Sequence, residues 1–348
     1  MPLEIRRSAT VPPGWDDLAR SRGCFYHEST WINGLAATLD YRVHWLTAHR
    51  GEALAGGVAL AEVPGLLGGH RLVSFPFSFV AGPMGVDAPA LFALGEGARD
   101  LATTTGARRV ELKQLGDGQP LVPGYERSTR YSTYRVSTAD GEAALWKRLH
   151  RTSTQQRIKK GEKAGVRVVE GKSEEDWLAM ARLEEEVQRG HGAPAPPRRV
   201  FLELGRQLQE AGLADLYLAK VPDGSIAAGY VMFTGQREWV YAFSAADPKY
   251  VNEYRPIHVI LWAGLQRAAA RGITVDLGRT APEQGSLAEF KQRWGSEAVP
   301  LSYDYFPGIG GLASRRRDGG VLSLATKVWS HLPRPVARMG SALYRYLG

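Results

Sequence analysis

Cysteine is nearly missing from this chain, which has one, Cys24, in 348 residues. A lone thiol closes no intramolecular disulfide, and without a Cys/His cluster it anchors no structural zinc site. Long apolar runs are missing too: no stretch approaches the roughly 18 uninterrupted apolar residues that mark a bilayer-spanning helix. The opening segment MPLEIRRSATVPPGWDD has no apolar run behind its charges, so no secretory signal is expected. The eight histidines, His27, His150 and His258 among them, show no metal spacing and no adjacent Ser or Asp that would suggest a triad. A metal-free protein of the reducing cytoplasm is the expectation.

What is present is an ordinary globular composition, 44% hydrophobic, in a chain longer than one core usually organises. The formal charge of +8 is unevenly placed. From Arg315 onward there are seven Lys/Arg (Arg315, Arg316, Arg317, Lys327, Arg334, Arg338, Arg345) against Asp318 alone, so the preceding body is near neutral. That tail mixes its cations with Trp329, Tyr344 and Tyr346 and is broken at Pro333 and Pro335. Such basic amphipathic segments bind anionic bilayer surfaces, each Lys/Arg adding on the order of 1 kcal/mol near the headgroups. Peripheral membrane contact through residues 315–348 is one expectation, and docking on the protein's own surface is the other.

The chain repeats itself weakly. HWLTAHRGEALAGGVAL (44–60) resembles LYLAKVPDGSIAAGYVMF (216–233), each an apolar strand, a turn at Gly51 or Gly224, and a second strand through Gly57 or Gly229. A helix ending near Gly106 precedes VELK, and a helix ending near Gly272 precedes VDLG. A duplicated α/β unit explains this order. The first half reads as helices near 28–39 and 88–105 with strands near 43–47, 54–62, 71–75, 109–113 and 132–136; Asp87 is placed to cap the long helix. The second half reads as helices near 141–164, 174–189 and 198–211, strands near 215–221, 226–234 and 238–244, a helix opened by Pro256, and a strand at 273–277.

The most informative stretch is VDLGRTAPEQGSLAEFKQRWG (275–295): an apolar strand, a loop opening on Gly278, Arg279 and Thr280, then a helix with Leu287, Phe290 and Trp294 on one face. Arg279 falls just past the carboxyl end of a strand, where open α/β sheets gather ligand contacts. Its planar fork suits phosphate or carboxylate, with an internal ion pair to Asp276 or Glu283 as the alternative. Lys291 borders the apolar stripe of its helix, so two positive charges are expected to share one cleft, unless Lys291 only snorkels over Phe290 and Trp294. Asp276 and Glu283 are the nearest candidates for a general base. Arg255 and Lys249 flank the start of the Pro256 helix, where an anion also feels the helix dipole. The segment 148–167 holds seven Lys/Arg and one Glu, with Arg151, Arg157 and Lys160 roughly on one side if it is a helix. Tyr241 and Ser244 lie on the strand expected to face the cleft.

DLGRT, a glycine-containing loop and FKxxWG resemble the C-terminal signature of the FemABX-type aminoacyltransferases and their acetyltransferase-like relatives, which share the GNAT fold. FYHESTWI (25–32), LVSFPF (72–77), VELK (110–113), RIKKGEKAGV (157–166) and VYAFSA (240–245) follow in the same order, so the resemblance covers roughly residues 20 to 306. It implies an α/β (α+β) architecture of tandem GNAT-like domains, each a mixed twisted sheet flanked by helices: residues 1–137, residues 138–311, and a basic tail, 312–348. It implies an acyltransferase that joins an aminoacyl or acyl group to an amine of a peptidoglycan or exopolysaccharide precursor through a tetrahedral intermediate. No bound cofactor is implied; aminoacyl-tRNA or acyl-CoA serves as donor substrate. Lys291 then has the electrostatic role, with Arg279 and Asp276 as its catalytic companions. Arg151, Arg157, Lys160, Tyr241, Ser244 and Arg255 become substrate-binding residues, the basic segment meeting a phosphorylated acceptor.

The turn Ala245–Pro256 stands where an acetyltransferase holds coenzyme A pyrophosphate on glycine-rich backbone amides, yet it has no glycine. That leans toward an aminoacyl-tRNA donor, while the absence of a long helical arm in the second half leans away from it. Transfer from acyl-CoA or an acyl carrier protein to an amino sugar stays open, as does a non-catalytic protein that binds an envelope glycolipid. DNA is not an expected partner.

Overall fold

A computed structural model describes residues 2–66, 68–308 and 340–347. The chain divides into two compact units, one of residues 2–132, 299–308 and 345–347, the other of residues 133–298 and 340–344.

In the first unit the elements run β1 (Glu4–Ser8), α1 (Trp15–Arg22), α2 (Ser29–Leu39), β2 (Arg42–Arg50), β3 (Ala53–Pro64), β4 (His70–Val73), β5 (Met84–Gly85), α3 (Ala88–Thr105) and β6 (Val110–Leu115). Strands β1 to β4 form antiparallel neighbours, β4 lies parallel to β6, and β5 adds to β3. Helix α3 forms where its punctuation predicts. The Asp87 carboxylate accepts from Ala90 N at 3.0 Å, Pro89 sits in the first turn, and Gly106 ends the helix at φ 69°. Its inward face, Ala90, Leu94, Ala98 and Leu101, packs on Leu46, Val58, Leu60 and Val110. Asp87→Ala is expected to lower stability, because the cap and its ion pair to Arg50 at 2.6 Å go together; denaturant titration measures it.

The second unit begins within β7 (Glu126–Val136) and continues through α4 (Gly141–Arg148), α5 (Gln156–Lys163), β8 (Arg167–Gly171), α6 (Glu174–Gly190), α7 (Arg206–Glu210), β9 (Ala214–Lys220), β10 (Ile226–Thr234), β11 (Glu238–Ala246), α8 (Pro248–Tyr254), α9 (Pro256–Ala269), β12 (Thr274–Asp276) and α10 (Gly285–Gln292). Its strand order is β8-β9-β10-β11-β12-β7, antiparallel except for the parallel pair β11 and β12. On one face α9 buries Val259, Ile260, Leu261 and Leu265 against Tyr217, Tyr230 and Met232. The last strand, β13 (Glu297–Phe306), pairs antiparallel with β6, from Leu301↔Leu115 to Phe306↔Val110. From Val299 it therefore belongs with the first unit, whereas the sequence reading ran the second domain to residue 311.

Three local expectations are corrected. The helix expected over 141–164 is interrupted: Leu149 is extended and buried, the His150 side chain accepts from Ser153 N, and a π-turn at Arg151–Gln155 leads into α5. Between β11 and α9, where a turn was expected, stands α8, opened by Asp247 and Pro248. The helix expected over 198–211 is a π-turn at Val200–Gly205 followed by the short α7. Most of the basic tail, Arg315 to Arg338 with Trp329, lies outside the described residues. At its end Arg345 meets Asp40 at 3.6 Å, and its carbonyl accepts from Tyr41 Oη at 2.7 Å.

Candidate active site

The parallel pair β11 and β12 is in register only from Glu238↔Thr274 to Val240↔Asp276. Past that point β12 ends, and β11 runs on to Ala246 with β10 along its other edge. The edge of Tyr241–Ala246 that faced β12 is thus left beside the loop opening at Leu277. A register shift in β10–β11 between Val231 and Met232 falls at the same level, and bulges of this kind re-aim backbone and side chains next to sites.

Two buried side chains hold the loop beyond β12. Asp276 accepts from Gly278 N at 2.7 Å, from the Thr133 hydroxyl, and from Arg135 Nε at 3.4 Å. The first of these contacts fixes Gly278 at φ 83°, a left-handed backbone that favours glycine. Arg135 also reaches Glu238 at 2.5 Å, which ties β7, β12 and β11 together across the parallel pair. Lys291, near the end of α10, donates to the Gly278 carbonyl at 2.7 Å, to Thr280 Oγ1 at 2.9 Å and to the Arg279 carbonyl at 3.2 Å, with its Nζ 5.6 Å from the Tyr134 ring centre. It is 6% exposed, so the surface lysine allowed by the sequence reading is replaced by a buried clamp.

Burial pulls the Lys291 ammonium down to about 8, Asp276 opposing the shift and Arg279 adding to it. Burial pushes the Asp276 carboxyl up, and its bonds to Thr133, Gly278 and Arg135 oppose that. The hydrogen bonds of Asp276 go to the loop and its supports, which makes it a positioning group. Arg279 itself is exposed.

Around the start of α9 a second group of predicted residues assembles. Arg255 joins α8 to α9 at φ 50°, a left-handed conformation that is strained for a residue with a side chain, and its buried Nε has no hydrogen-bond partner among the described residues. His258, 8% exposed, lies 5.9 Å from the rings of Phe290 and Trp294. Burial, Arg157 and Arg255 push it down to about 4, so it is neutral at pH 7. Arg157 and Arg255 therefore face a common neighbour across α5 and α9. Lys160 is exposed and donates to the Asn252 carbonyl at 3.2 Å at the end of α8; Arg151 is exposed on the π-turn, off the regular helix that was to align all three. Tyr241 donates to Ser244 Oγ on β11, and burial pushes its phenol upward.

The α8–α9 junction is tightly packed and has two first-turn amides missing or engaged. Gly161 of α5 packs so tightly on it that a Cβ there would stand 2.5 Å from the Tyr254 carbonyl. Pro256 supplies no N–H, and His258 N donates to the Arg255 carbonyl at 3.0 Å. The Arg255 and Arg157 side chains add positive charge beside this turn.

The sequence reading missed Glu184. It closes the inward stripe of α6 formed with Trp177, Met180 and Ala181, spaced by three, four and seven residues, and that spacing is the signal that finds it. Among the described residues no group of His, Cys, Asp and Glu is placed to hold a metal ion, and no helix is long and apolar enough to cross a membrane.

Residues 148–292 match the family model described as an acetyltransferase (GNAT) domain. No curated protein matches the sequence. Among solved structures the chain is similar to FemX, with 14% identity and a TM-score of 0.64 over 86% of this chain and 96% of that one. A tandem GNAT protein from the clavulanic acid biosynthesis pathway is similar at 13% identity and TM-score 0.53, covering 87% and 98%. The protein described as L-PGS from Bacillus licheniformis is similar at 12% identity and TM-score 0.57, covering 93% and 98%. At such identities the likeness is one of fold. The chain has a tandem GNAT-like fold, and its second unit matches the acetyltransferase (GNAT) domain model.

Proposed function

We propose that this GNAT-fold acyltransferase moves an aminoacyl or acyl group onto an amine of a cell-envelope precursor, with the donor carbonyl seated where β11 and β12 part. The carrying observation is the end of their register at Val240↔Asp276 beside a loop clamped by Lys291. Transfer needs a deprotonated amine, a held carbonyl and a stabilised oxyanion. The Lys291 ammonium supplies the last by exchanging its longest bond, to the Arg279 carbonyl at 3.2 Å, for the developing charge. Asp276 keeps the loop in place while this happens.

An aminoacyl ester of tRNA suits the α8–α9 junction better than acyl-CoA, because the turn Ala245–Pro256 has no glycine to bring backbone amides close to a pyrophosphate. Arg157 and Arg255 are then the contacts to donor phosphates, and Arg151 and Lys160 meet the acceptor. Arg279, exposed at the loop, binds a phosphate or carboxylate of either substrate. Arg279→Ala is expected to raise the KM for one substrate about ten- to a hundredfold, the size of a lost charge-assisted hydrogen bond, with turnover little changed. An unchanged KM for both substrates removes it from the site.

The direct test follows radiolabel from charged aminoacyl-tRNA, and in parallel from acetyl-CoA and longer acyl-CoAs, into extracted envelope precursors. Labelling from tRNA supports the reading in full; labelling only from a thioester keeps the reaction and changes the donor. No labelling from any of them rejects it.

A further inference from the structure

The reaction proposed above needs a group that takes a proton from the attacking amine, and neither Asp276 nor His258 offers one. Asp276 is bonded on every side by the loop and its supports, and His258 is enclosed by arginines and aromatic rings. A third buried group has no such commitments. Glu184 is 5% exposed, and its hydrogen-bond partner among the described residues is the neutral amide of Gln188, one turn further along α6, at 2.7 Å. The other buried acids of this unit, Asp276 and Glu238, both meet Arg135. A buried carboxylate without a cation is costly to hold charged, and groups perturbed in this way cluster at functional sites.

The course of α6 places this carboxyl. Asp176, at its start, lies beside Gly171 of β8; a Cβ on Gly171 would stand 3.0 Å from the Asp176 Cβ. Met180, one turn on, lies over Gly229 of β10, where a Cβ would meet the Met180 sulfur at 2.6 Å. The helix thus crosses from β8 toward β11, and Glu184 is the next inward residue. Helix α6 packs against β11 itself. Tyr241 is the first residue of β11 past the end of the β11–β12 register. The remaining ionisable groups nearby are accounted for: Arg198 is paired with Glu185, Arg189 with Glu186, and Glu203 of the Val200–Gly205 turn is exposed.

We propose that Glu184 accepts the proton of the attacking amine, reaching it from the α6 side of β11 at the opening between β11 and β12. This role rests on the acyl-transfer reading. The amine gives one proton to the Glu184 carboxylate, and its lone pair forms the new C–N bond. The donor's C–O or C–S bond breaks with its electron pair on the leaving oxygen or sulfur, and the proton held by Glu184 passes to that leaving group. Burial raises the carboxyl above its ordinary value, and the Gln188 amide opposes the rise only in part. That direction moves a base toward neutral pH, where proton transfer is most effective.

Glu184→Gln keeps the shape and the bond to Gln188 and removes the titration. In the labelling assay, run from acid to neutral pH, the wild-type protein is expected to show an acidic limb in kcat that lies above the ordinary carboxylate range. Glu184→Gln should lower kcat by roughly 10²- to 10⁴-fold, abolish that limb and leave KM nearly unchanged. Glu184→Asp should keep the limb at a reduced rate. A Gln variant with wild-type kcat and an intact limb overturns the assignment while leaving acyl transfer standing; a wild-type protein that labels nothing overturns both. Folding is followed separately by denaturation against pH. The folded-state value is raised, so the stability contributed by the protonated group is full below the unfolded value and is lost as pH rises through the folded one. Wild type should show that loss and Glu184→Gln should not; equal profiles mean that the carboxyl is not held as described, and they also overturn the assignment.

Discussion

Replacing Lys291 with alanine is expected to lower turnover by roughly two to three orders of magnitude, the size seen when one oxyanion donor is removed. The geometry adds a second reason. The ammonium is the shared donor for Gly278 O, Arg279 O and Thr280 Oγ1, so its loss also releases the loop beside the opening of β11 and β12. A pH profile separates the two effects. Turnover that needs the charged ammonium should fall as pH rises through about 8, where burial has moved this group. Alanine removes that alkaline limb along with most of the rate. Folding responds with the opposite sign. Between about 8 and the unfolded value near 10.5 the unfolded chain binds the extra proton, so wild-type stability should rise with pH across that window. Unchanged turnover in Lys291→Ala excludes the electrostatic role.

Asp276→Ala is the substitution with the largest expected effect on stability, about 3–5 kcal/mol, because it breaks a buried ion pair from one side. It strips Thr133, Arg135 and Gly278 N–H of their acceptor at a position that is 0% exposed. Asp276→Asn keeps one carbonyl for the Gly278 N–H and should cost less. Denaturant midpoints at neutral pH measure both. A loss below about 1 kcal/mol for the alanine variant would mean that Arg135 is satisfied by Glu238 alone and that the loop does not depend on Asp276.

The helix α3 was legible because its cap, first-turn proline and terminal glycine are local signals that agree with its apolar period. The strand, loop and helix around Arg279 and Lys291 were legible for the same reason, and so was the pair β9–β10 with its turn at Gly224. The break before α5 was not, since it depends on a side-chain cap by His150 and on a bond from His150 N to the carbonyl of Arg293, far away in sequence. Helix α8 is only seven residues long, and its one local signal in the sequence is the Asp247–Pro248 start. Lys291 was found by its motif, but its inward direction follows from what the loop does with its carbonyls. Glu184 stands in the run Glu184–Glu186, where only the apolar stripe from Trp177 separates the inward carboxyl from its neighbours.

The pairing of β6 with β13 sets an order of events during synthesis. Gln114 and Asp304, whose side chains meet at 3.2 Å, are separated by 190 residues. At about 5–20 residues per second, a ribosome takes roughly 10 to 40 s to make that interval. For that time β6 waits with one edge bare while the whole second unit emerges, so the part of the chain made first is completed last. An unpaired edge held that long invites foreign strands. The nascent protein is therefore most exposed to aggregation before residue 306 has left the ribosome, and a fragment ending at Ala298 would keep that vulnerability for good.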